Sequence, residues 1–152
     1  MPDPVSFTST TSRFALPLLF AAQAQKEFYV NEAHAITDCL LHPAIEGEAN
    51  TPPPSPSEGR TWLVGNSPTG AWAGYQGRLA CFEADAWLFI TPRDGLRVLD
   101  LSTGQSRLFL GGWQVADAVP SPSGGSVIDI EARTAIEGLI SALVANGALP
   151  QT

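Results

Sequence analysis

Few residues in this chain have types and spacing suited to chemistry, and each such set lacks an indispensable member. Gly65 and Gly70 stand at the separation that opens a phosphate-binding loop, but Ala71-Trp72 fills the place where that loop needs Lys followed by Ser or Thr. Without the lysine there is no charge to meet the phosphates, so the segment is expected to be a hairpin turn. His34 and Asp38 lie one helical turn apart and could orient each other as an acid/base pair, yet no nucleophile accompanies them. His42 extends that row into a His/Asp/His set along one helix face, but Pro43 breaks the helix there. The sequence contains no GxSxG elbow and no Cys-x-x-Cys pair. Cys39 and Cys81 have no metal-ligand spacing around them, and one pair makes no secreted disulfide framework, so both are expected to be buried, reduced thiols. Glu83 and Asp85 sit at a turn and read as solvated charge. The expectation is a protein that is not an enzyme, with no catalytic residue, no cofactor and no metal.

The aromatics are the richer signal. Trp62, Trp72, Tyr75, Trp87, Phe89 and Trp113 fall in or beside one strand-rich region. Exposed Trp and Tyr rings stack on sugars and dominate interface energetics, although in a sheet this small several must form the core. Trp72, Tyr75, Trp87 and Trp113 are the candidates for a carbohydrate platform or a subunit interface. Bulk composition points toward assembly. Charged residues make up 15% of the chain, against roughly 25% in an ordinary soluble domain, and a surface so poor in charge suits a homo-oligomer. Eight basic against fifteen acidic residues give a net charge of -7, which opposes nucleic-acid phosphates and anionic membrane surfaces alike.

The elements that would position these residues read as an α+β chain: an N-terminal arm and helix, a central antiparallel β-meander or small barrel, and a linked C-terminal helix. Residues 1–12 are a polar Ser/Thr arm, expected to order only against a neighbour. Residues 13–47 hold an apolar segment and a helix from about Ala22 to Leu41, whose Tyr29, Ala33, Ile36 and Leu40 repeat as a buried stripe. Glu27, Asn31, His34 and Asp38 mark its solvated or partner-facing side. The apolar run after Arg13 contains Pro17 and passes into the helical pattern, so no cleaved signal peptide is expected. Residues 48–59 are a Pro/Ser-rich linker. Residues 60–115 form the β unit, with strands expected at 60–64, 71–75, 78–83, 86–91, 96–100 and 107–110 between Gly-, Pro- and Asp-rich turns. Residues 116–128 are a second linker, and residues 129–152 a helix capped by Asp129 and stopped by Gly147, with a tail. Ile136, Leu139, Ile140 and Leu143 belong to its broad apolar face, which would either pack on the chain's own sheet or dock against neighbouring subunits, and they are the candidate interface residues.

At Leu16-Pro17-Leu18-Leu19, Gln23-Ala24-Gln25-Lys26-Glu27 and Asn31-Glu32-Ala33, the chain resembles a domain of unknown function found in alphaproteobacterial prophages and gene transfer agents. The resemblance continues through Gly59-Arg60-Thr61-Trp62-Leu63-Val64-Gly65, Gly70-Ala71-Trp72-Ala73-Gly74, Ala86-Trp87 with Phe89, Pro92-Arg93-Asp94-Gly95 and Gly111-Gly112-Trp113. Family members are associated with tail fibres and with head spikes, whose base anchors an adhesion fibre. The resemblance therefore implies a virion protein, made in the bacterial cytoplasm, that acts as a spike base. Its partners would be a capsid vertex protein and a separate fibre or adhesin chain, and five-fold placement would favour a pentamer over a trimer. The family has no catalytic residues to carry over. Gln23, Gln25, Lys26, Glu27, Asn31 and Glu32 would either bind a neighbouring chain or brace the fold.

Overall fold

In the computed structural model the N-terminal helical pattern becomes α1, Lys26–Leu41, ended where Pro43 has no N–H to continue it. The described residues are 10, 11, 13, 14, 16, 18, 19, 26–125 and 129–150, so most of the predicted N-terminal arm lies outside them. They form two compact units, one ending at Pro92 and the other beginning at Arg93. The strands predicted as one β unit are thus divided between the two.

In the first unit, α1 is followed by β1 (Ala44–Ile45), β2 (Glu48–Ala49), β3 (Thr61–Val64), β4 (Leu79–Glu83) and β5 (Ala86–Ile90). The sheet order is β2-β3-β4-β5. β2 joins β3 in parallel, whereas β3–β4 and β4–β5 are antiparallel, so the expected meander is a mixed sheet, and it is not closed into a barrel. The Pro/Ser connector accordingly begins inside the sheet. Cα partners Thr61↔Cys81, Leu63↔Leu79 and Leu79↔Ile90 put these side chains on one face. Trp62↔Ala80 and Ala80↔Phe89 put the others opposite.

Helix α1 packs by β4, but not on the predicted stripe. Ala35, Asp38 and Cys39 are buried while Ala33 is exposed, because Asp38 and Cys39 each find a partner that takes them inside. Cys39 and Cys81 are joined in a disulfide, with Cα atoms 6.8 Å apart, which corrects the expectation of reduced thiols. The segment 71–75, predicted as a strand, is instead a 3-10 turn at Gly70–Trp72 followed by a reversal. Gly70 and Gly74 take positive φ there, 58° and 85°, and the turn sinks Trp72 into the core. At the β4–β5 hairpin, Ala84 and Asp85 have φ of 53° and 57° without being glycine. The Glu58 carboxylate accepts both of their amides, at 2.7 and 3.0 Å.

The second unit contains β6 (Arg97–Asp100), β7 (Gln105–Phe109) and β8 (Trp113–Gln114), successively antiparallel, then α2, Ile130–Ala145. Asp100 is buried. Its Oδ2 accepts from Arg107 at 2.8 and 2.9 Å, and its Oδ1 accepts the Ser102 amide and hydroxyl at 3.0 and 2.6 Å. A buried carboxylate is tolerated when both oxygens are served in this way. Asp129 caps α2 as expected, its Oδ1 accepting the Ala132 amide at 2.8 Å. Gly147 ends the helix at φ 74°, and a Cβ there would come 3.0 Å from the Gly104 carbonyl. The Gly147 carbonyl accepts the Ser106 amide of β7 at 2.7 Å, and Leu149 is buried, so the C-terminal end of α2 is pinned. No α2 residue is buried. Among the described residues no helix is long and apolar enough to cross a membrane.

Candidate functional site

Two polar side chains of α1, Asn31 and Asp38, turn onto their own chain. Gln23 and Gln25 lie outside the described residues, as do the side chains of Lys26 and Glu27. The Asn31 amide both accepts from the Leu19 N–H at 2.8 Å and donates to the Leu19 carbonyl at 3.0 Å, so it braces the fold, while Glu32 is exposed. Asp38 is buried with one oxygen on the Arg13 amide and the other on the Phe14 amide, each at 2.8 Å. The Arg13 guanidinium donates to the carbonyls of Cys39 at 2.8 Å and His42 at 2.5 Å, serving acceptors that the end of α1 leaves unsatisfied. Both Asp38 carboxylate oxygens are thus engaged by backbone amides, while His34 is half-buried. His42 is exposed, its ring 5.2 Å from that of Phe14. Among the described residues no group of three or more His, Cys, Asp or Glu side chains is placed to hold a metal ion.

Each of the four singled-out aromatics is engaged with another ring of its own unit. Trp72 is fully buried, edge-on to Trp87 at 5.0 Å and 6.4 Å from Trp62. Its Nε1 has no hydrogen-bond partner among the protein atoms. Tyr75 is stacked on Phe89 at 3.6 Å, and the Arg78 guanidinium lies 5.3 Å from the tyrosine centroid. Trp87 is half-buried, packed edge-on to Trp62 and Phe82 at 5.7 and 5.0 Å. Trp113 belongs to the second unit, against Phe109 at 5.3 Å. Sugar stacking needs open ring faces, and here the rings are mainly occupied with one another.

Most of the exposed large apolar side chains among the described residues are on the second unit. Along α2, Ile136 is 43% exposed, Leu139 65% and Leu143 41%. Ile140 is half-buried and, with Val119, Pro120 and Val144, lines an open groove of about 620 Å³. Leu99, Leu101, Leu110 and Val115 are also exposed on this unit. Three of the four predicted α2 interface residues are thus exposed on one helix. The roles of Arg13 and Glu58 escaped sequence reasoning, since both act through backbone groups more than twenty residues away.

The fold is an α+β arrangement of two helices and two sheets. A family model described as "Protein of unknown function (DUF2793)" matches residues 30–114, more than half of the chain, and the protein belongs to that family. The match runs from within α1 to the end of β8 and leaves α2 outside it. No curated protein matches the chain.

Proposed function

We propose that the chain is a structural protein of a phage-like particle, of the prophage or gene transfer agent type, serving as the base or adaptor that anchors an adhesion fibre to the capsid. The observation that carries this reading is α2, a sixteen-residue helix with no buried residue and a row of exposed Ile and Leu side chains. Exposed apolar patches of this kind mark interaction surfaces in soluble proteins. The sequence motifs that resemble those of particle-associated domains support this kind of assembly. A capsid vertex protein and a separate fibre chain are the proposed partners, with five-fold placement favouring a pentamer.

The test is to delete the gene in the producing bacterium and image purified particles by electron microscopy, alongside mass spectrometry of wild-type particles. The reading expects the chain in wild-type particles, and mutant particles with filled heads but without fibres. Its absence from wild-type particles, or fibres unchanged in the mutant, would overturn it. Saturable quenching of Trp fluorescence by host capsular polysaccharide would favour a carbohydrate-binding module instead.

A further inference from the structure

The two faces of the first unit's sheet are held in different ways. Val64, Ala80, Trp62, Trp87 and Phe89 share one face, where Trp72 completes an aromatic core to which α1 contributes no residue. Cys81 points to the opposite face and is bonded there to Cys39, in the last turn of α1. Beside that bond the described side chains of α1 bury little apolar surface. Ala35 and Cys39 are its buried apolar residues, Ile36 and Leu40 are half-buried, and Leu41 is 50% exposed. The sheet thus has a core of its own, whereas the docking of α1 leans on one covalent bond.

The same turn of the helix carries the segment that precedes it. Asp38 accepts the Arg13 and Phe14 amides, and the Arg13 guanidinium donates to the Cys39 carbonyl at 2.8 Å. A displacement of Cys39 therefore carries residues 13 and 14 with it. A helix of sixteen residues standing alone in water is marginal, so α1 released from β4 would unravel and let go of the segment it clasps.

We infer that Cys39 and Cys81 form a redox latch, in which reduction frees α1 and its clasped segment from a sheet that stays folded and oxidation docks them again. The reaction partners are a small disulfide for closing and a small thiol for opening. In closing, one cysteine thiolate attacks a sulfur of the small disulfide and expels a thiolate; the other cysteine thiolate then attacks the protein sulfur of the mixed disulfide and expels the second. The two protons given up by the cysteines go to the two expelled thiolates, so the protein loses two electrons and the small disulfide gains them. Opening is the same sequence in reverse. In the closed form Cys39 is 3% exposed and Cys81 0%, which shields the bond from a reductant. In the open form both thiols are within reach of the oxidant, so the latch closes readily and reopens slowly. A thiol-rich cytoplasm favours the open form and an oxidising exterior the closed one. The latch is a property of the chain itself and stands apart from any role in a particle.

The test follows hydrogen exchange of the full-length protein, oxidised and after reduction by dithiothreitol in mild denaturant and return to oxygen-free buffer. In the reduced protein the amides of α1 should fall roughly a hundredfold or more below those of β3, β4 and β5 in protection, the mark of a helix that opens separately from the sheet. Oxidised glutathione should restore the protection of α1. One shared protection for helix and sheet, a reduced protein that no longer folds, or α1 as protected as in the oxidised form would each overturn the inference. The variant Cys39→Ser/Cys81→Ser separates the bond from the reagents: it should exchange like the reduced protein and ignore oxidised glutathione, and recovery of α1 protection in that variant would equally count against a latch.

Discussion

Breaking the Cys39–Cys81 disulfide should remove a large share of the stability of the first unit. The two cysteines are 42 residues apart in sequence, and closing a loop of that length in the unfolded chain corresponds to about 4 kcal/mol at 25 °C in the chain-entropy relation. A domain of this size has roughly 5–15 kcal/mol in total. Both residues are buried, so a reductant reaches them only when the unit opens, and reduction in mild denaturant followed by refolding is the clean perturbation. Comparing oxidised with reduced protein keeps every atom except the bond, unlike a Cys→Ala pair, which also leaves cavities. Urea unfolding followed by Trp fluorescence reads mainly Trp62, Trp72 and Trp87, all in the first unit. The reduced form should unfold at a markedly lower urea concentration. Coincident midpoints, or stoichiometric reaction of the native protein with a thiol reagent, would refute the reasoning.

Two further substitutions probe the first unit. Asp38→Ala removes the acceptor of two backbone amides and should destabilise by about 3 kcal/mol, somewhat less than two charged hydrogen bonds because the freed segment can reach water; hydrogen exchange should show protection lost at Arg13 and Phe14, and unchanged exchange there would contradict the clasp. Trp72→Ala should cost about 3–5 kcal/mol in urea unfolding through the cavity it leaves, whereas Trp72→Phe should cost less, since the indole N–H has no partner to lose.

Legibility in the sequence followed the local character of each signal. Helix α2 was readable to within a residue at each end because Asp129 and Gly147 act on their own neighbours. Strands β4, β5 and β6 are short runs of strand formers that end at turns, and they lie close to their expected positions. Helix α1 is legible, but its buried face is not, because hydropathy places Asp38 on the solvated side while the Arg13 and Phe14 amides draw it in. The 71–75 segment has strand-like composition, yet Gly70 and Gly74 at positive φ bend it so that Trp72 fills the core. The two-residue strands β1 and β2 are too short to carry a period at all. At the candidate surface, the exposure of Ile136, Leu139 and Leu143 follows from α2 packing only by its C-terminal end, which no periodicity reveals. The same holds for the aromatics, whose enrichment was visible and whose mutual packing was not.

The Glu58 carboxylate on the β4–β5 turn has a consequence for the order of folding. A tight two-residue hairpin is ordinarily among the first long-lived contacts of a sheet, forming in about 1–10 μs from residues adjacent in sequence. Here Ala84 and Asp85 occupy left-handed backbone usually reserved for Asn-Gly, a conformation that costs about 1–3 kcal/mol per residue unless its surroundings hold it. The group that holds it arrives from 26 and 27 positions earlier in the chain. The hairpin therefore gains its full stability only after the proline-rich connector has been laid against it, so a local contact comes to depend on a non-local one. Glycine at both turn positions would uncouple the two events and speed refolding, even though it deletes no contact made by Glu58.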